Sequence, residues 1–112
     1  MTFLFFNHAL AVYMEETSET NAHYLGIFHA QSKEGEYLHF AYRFASQPPF
    51  EILQVSEQLP LLGRRSSTSR YPFAFATGLV VIRNTVFIAY GSGDRESRLL
   101  AMNLEELDSY FC

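Results

Sequence analysis

The sequence holds a single cysteine, Cys112, among 112 residues. An intrachain disulfide is therefore impossible, and a zinc site built on cysteine pairs is excluded. Tryptophan is absent, and basic residues are few: 8 Lys and Arg stand against 12 Asp and Glu, a formal charge of −4. With no basic excess to neutralise phosphates, a nucleic-acid partner is disfavoured. No apolar run is long enough for a membrane span. The first 14 residues are apolar at Phe3-Leu4-Phe5-Phe6 and again from Ala9 to Met14, but Asn7 and His8 interrupt them. No Lys or Arg precedes this run and no small-residue cleavage site follows it, so it reads as folded core rather than a targeting segment. The expectation is a cytoplasmic chain with no membrane partner. His8, His23, His29 and His39 fall in no His-Glu-x-x-His or paired metal spacing. Neither a metal nor a cofactor is expected.

What the sequence has instead is apolar and aromatic. Hydrophobic residues make up 48%, with 11 Phe and 7 Tyr, and charged residues only 18%, which excludes overall disorder. The length allows a single domain, residues 1–112. Short runs rich in aromatic or β-branched residues occur at Leu10 to Met14, Tyr24 to His29, Tyr37 to Phe44 and Phe50 to Val55, separated by polar clusters. A second series follows at Thr77 to Arg83, Thr85 to Tyr90 and Glu96 to Met102. Asn84 tolerates positive φ and marks a tight hairpin between the first two of these. About seven short strands with short connections predict an antiparallel all-β protein. Leu104, Leu107 and Phe111 then recur at helical spacing behind a candidate N-cap, Asn103, predicting one short C-terminal helix from Leu104 to Tyr110. Pro60 to Arg70 has no apolar period and reads as a solvated linker.

The chain also repeats itself. A shift of about 62 residues lays Tyr24-Leu25-Gly26-Ile27-Phe28-His29-Ala30 on Val86-Phe87-Ile88-Ala89-Tyr90-Gly91-Ser92. Lys33-Glu34 then falls on Arg95-Glu96, and the order of strands is kept. Two units result, residues 9–58 and residues 71–112 with the terminal helix, and such units read as propeller-like blades. The aromatic strand Tyr24 to Ala30, the turn Pro48-Pro49-Phe50, the lead-in Tyr71-Pro72-Phe73 and the run Ala89-Tyr90-Gly91-Ser92-Gly93-Asp94 carry a resemblance. Together they resemble the C-terminal two blades of five-bladed β-propeller carbohydrate-active proteins, the β-mannoside phosphorylase and hydrolase family. The fold expected is thus all-β and antiparallel, two β-propeller-like blades of about seven strands plus one short helix.

The resemblance implies a ligand role for His29, because the matching family histidine binds phosphate or substrate. Asp94 follows Gly91-Ser92-Gly93, where the backbone bends sharply enough to present a carboxylate at a loop tip, beside the ring of Tyr90. His29, Asp94 and Tyr90 are the candidate ligand-binding residues for a saccharide or phosphate group. No catalytic residue is assigned, since the family's catalytic acid lies in blades that this sequence does not contain. The functional expectation is a non-catalytic or vestigial carbohydrate-related module. The alternatives are a glycoside phosphorylase- or hydrolase-like enzyme completed by oligomerisation, and a purely structural interaction module. Open strand edges and the aromatic surplus favour a homo-oligomer.

Overall fold

The computed structural model describes residues 10–31, 33, 37–61, 64–65, 72–92 and 96–111. They form eight strands and a helix: β1 Leu10–Met14, β2 His23–Gln31, β3 Tyr37–Ala45, β4 Ile52–Gln58, β5 Arg64–Arg65, β6 Pro72–Ile82, β7 Thr85–Ser92, β8 Glu96–Asn103 and α1 Leu104–Asp108. Two antiparallel four-stranded meanders result, β1-β2-β3-β4 and β5-β6-β7-β8. Each strand pairs with its neighbour in sequence, as short polar connections dictate.

The details depart from the sequence expectation in instructive places. The segment expected to be linker contains the short β5, and β6 begins at Pro72 rather than Thr77. The tight turn between β6 and β7 is present, with Ile82 paired to Thr85, but its positive φ of 56° sits on Arg83 and not on Asn84. Asn103 caps α1 by accepting from the Glu106 N–H at 2.7 Å, and the Asn84 carbonyl accepts from the Leu104 N–H. The helix is a single turn and a half, ending at Asp108 rather than Tyr110. No helix among the described residues is long and apolar enough to cross a membrane.

The propeller expectation is overturned. Neither sheet closes with the other around an axis. The two instead share one apolar core, in which Leu25, Ile27 and Ala41 of the first sheet meet Ala76, Val86 and Ile88 of the second. Beyond its short pairing with β5, the far edge of β6 has no strand partner among the described residues. That edge lies against β1, β2 and β3. A four-stranded antiparallel meander has the same alternation and turn spacing in a blade as in an open sheet. The sequence pattern therefore does not distinguish them; how one sheet seats on the other does.

The helix is tied to the first sheet by Arg43. Its guanidinium donates to Gln54 Oε1 at 2.7 Å, pairs with the Asp108 carboxylate, and lies 3.9 Å over the Phe111 ring. The chain after α1 reaches β4, where the Tyr110 carbonyl accepts from the Glu57 N–H at 2.7 Å. Leu107 is buried beneath.

Candidate functional site: the outer face and open edge of the first sheet

Strand alternation sends successive side chains to opposite faces. On β2 and β3 one set, including Leu25, Ile27, His39 and Ala41, faces the second sheet. The other set forms a face of its own, and register fixes its rows. Tyr13, Tyr24, Phe44 and Ile52 lie in one row across all four strands; Ala11, Gly26, Tyr42 and Val55 form the next; Phe28, Phe40 and Gln58 follow. No residue in these rows carries a charge.

The rings touch in sequence. Tyr13 meets Tyr24 edge-on at 5.5 Å, Tyr24 stacks on Phe44 at 5.1 Å, and Phe44 stacks on Tyr42 at 5.2 Å. Tyr42 meets Phe28 edge-on at 5.3 Å, and Phe28 stacks on Phe40 at 5.4 Å. Gly26 makes this packing possible. A Cβ there would come within 2.6 Å of the Tyr42 ring, so the ring lies directly over bare backbone. Burial pushes the Tyr42 hydroxyl pKa up from its ordinary value, because the charged form loses hydration.

The two ends of the face differ. Phe28 and Phe40 are buried, whereas Tyr13 is 54% exposed, Ile52 65% and Val55 46%. The open end runs into the edge strand β4. Phe50, just before it, and Ile52, Leu53 and Val55 on it, four large apolar side chains within six residues, are all exposed. Val55 and Ile52 belong to the outer rows, and Leu53 falls at the register shift between Arg43 and Phe44. A bulge at a sheet edge re-aims side chains. Of the β4 N–H groups only that of Glu57, at the far end, is taken by the Tyr110 carbonyl among the described residues; the Ile52–Val55 stretch presents apolar groups along an open edge.

The residues singled out from sequence lie elsewhere. His29 is half-buried on the inner face of β2, where its ring meets Phe75 at 4.8 Å, Tyr37 at 5.2 Å and His39 at 6.2 Å. Tyr90 is buried in the shared core, in register between Ala76 and Arg98. Asp94 lies outside the described residues. No family model, curated protein or solved structure matches the chain. The likeness to the β-mannoside phosphorylase and hydrolase family is thereby withdrawn, and the carbohydrate-binding and hydrolase-like readings go with it. Those motifs were short β patterns with a common turn, which unrelated meanders share.

A cleft of about 190 Å³ beside α1 is bordered by Met14, Glu15, Glu19, His23, Arg43 and Leu107, among others. Its guanidinium is already committed to Gln54 and Asp108. Among the described residues no group of three or more metal-ligating side chains gathers. The sequence missed the β4 edge because exposure of an apolar strand is not written in its composition. Gly26 inside an aromatic strand was the available signal for the flat outer face.

Proposed function

We propose that this chain is a non-catalytic interaction module that pairs with a second copy of itself through the β4 edge and the open rows of the first sheet beside it. The observation that carries the proposal is the run Phe50, Ile52, Leu53 and Val55, exposed together on the edge strand β4 and the turn that leads into it. Exposed apolar edges pair readily with other strands, since both the backbone groups and the side chains gain a partner. The open rows add Tyr13, which is exposed, and the half-buried Tyr24, polar groups without charge. A second copy is the occupant that suits this surface. The outer-face rows beside the edge carry no charge, and on the edge itself the exposed Glu51 and Glu57 bracket Ile52, Leu53 and Val55, so two copies meet on the apolar stretch between them. A two-fold dimer uses the same strand on both sides and closes on itself. The cytosol is the setting proposed, where a lone Cys112 stays reduced.

Sedimentation equilibrium from low micromolar to submillimolar concentration tests the reading. The expected result is a reversible dimer, with Val55→Lys and Leu53→Lys shifting the chain to a monomer near 12.9 kDa while the far-ultraviolet circular dichroism is kept. A wild-type monomer throughout that range overturns the proposal. So does a dimer that survives both substitutions but is lost in Leu99→Lys, which would move the interface to the second sheet.

A further inference from the structure

His39 is the most buried polar side chain on the inner face of the first sheet, 1% exposed. Its Nε2 accepts from the Ala76 N–H at 3.1 Å. That bond occupies a backbone donor on the strandless edge of β6 and joins the two sheets across the core. An imidazole nitrogen that accepts carries no proton, so the neutral ring must hold its hydrogen on Nδ1. Among the described residues nothing accepts from that Nδ1. A buried donor without an acceptor loses its hydration and gains nothing in return, which native interiors rarely tolerate.

The ring of His39 borders a small cavity, whose wall is completed by Leu10, Ile27, Phe28, His29, Phe75 and Ala76. Its volume of about 10 Å³ approaches the roughly 10–15 Å³ that one water molecule requires. Two histidine rings supply polar groups to a wall that is otherwise apolar. We infer that this cavity is a binding site for a single water molecule, which accepts the Nδ1–H of His39 and locks the ring in the tautomer that holds β6 to the first sheet. A larger ligand is excluded by volume. An ion is disfavoured because, among the described residues, no Asp, Glu, Lys or Arg side chain lines the site.

The 112-residue chain, labelled with nitrogen-15 and held at pH 7, decides the matter without mutation. A long-range proton–nitrogen correlation spectrum should show His39 as the Nδ1–H tautomer, its Nδ1 proton exchanging slowly and giving a cross-peak to bound water. Oxygen-17 relaxation dispersion should detect one long-lived water that is lost in His39→Phe, provided that variant folds; if it does not, the wild-type spectrum alone decides. An Nε2–H tautomer overturns the inference, because the bond from Ala76 could not then exist as described. An Nδ1–H with no magnetisation transfer from water also overturns it, and so does an empty cavity in a high-resolution crystal structure.

Discussion

The central strands of the two sheets are buried in different ways. In β7 the alternation is regular: Val86, Ile88, Tyr90 and Ser92 are buried, and every residue between them is only partly so. In β2 four consecutive residues, Leu25 to Phe28, are buried, although only one of the two faces meets the second sheet. The difference comes from what each outer face carries. The outer face of the second sheet bears separate aliphatic side chains such as Val80, Ile82 and Leu99, the last 63% exposed. The outer face of the first sheet bears rings in mutual contact, and a smaller cluster of Phe28, Ala30 and Phe40 with Leu38 and Tyr42 forms there beside the main core. Aromatic rings are large enough to shield one another across strands; isolated aliphatic side chains are not. One sheet thus has two apolar layers and the other has one.

The largest effect that would break this comparison is a pair of phenylalanine truncations, one on the outer face of each sheet. Phe28→Ala should cost about 3–5 kcal/mol, the range for emptying a buried aromatic site. Phe87→Ala, on the outer face of β7, should cost about 1–2 kcal/mol, as a partly buried side chain has less to lose than a fully buried one. Urea unfolding of both variants measures the contrast, and equal losses would show that the outer faces are equivalent after all.

A change of pH probes the junction between the sheets. Burial, with a smaller contribution from neighbouring His29, lowers the pKa of His39 from 6.5 to about 4. The unfolded chain takes up a proton near 6.5 and the folded chain does not, so the unfolded state binds more protons between those values. The stabilisation is fully present above about pH 6.5 and is lost as pH falls towards 4. Its size is on the order of 3 kcal/mol. Unfolding free energies at pH 7 and pH 4.5, set beside an NMR titration of His39, check both the direction and the residue. A His39 that titrates at its ordinary value would remove the effect and would place the ring in contact with solvent.

The smallest effect lies in the turn of the second sheet. Arg83 holds a φ of 56°, which a side chain bearing a Cβ adopts at a cost. Arg83→Gly should stabilise the chain by about 0.5–1 kcal/mol, seen as a raised midpoint in thermal unfolding, with no change in association. A loss of stability would mean that the arginine side chain supports the second sheet in a way that the turn geometry does not reveal.

Much of the local structure was legible in advance because it rests on local causes. The runs at Leu10 to Met14 and Tyr37 to Phe44 became strands through their alternation and aromatic content. Asn103 capped the helix because its side chain reaches the Glu106 N–H from a fixed offset. The site was less legible. His29 was singled out for its place at the end of an aromatic strand, and it stands instead at the junction of the sheets with Tyr37, His39 and Phe75. The apolar edge at Phe50 to Val55 looked like any other strand, since being an edge is a property of the strand's neighbours and not of its residues.

The sequence by itself determined the antiparallel meanders, the hairpin near Asn84 and the capped helix, because period, turn chemistry and capping act over a few residues. Tertiary structure alone decided that the two meanders share one core instead of standing as blades. It also decided that His39 accepts from Ala76, 37 residues further along the chain, and that β4 is an apolar edge strand among the described residues. These depend on which faces meet, and facing is set by the packing of whole sheets, whose alternation reads the same whichever side is covered.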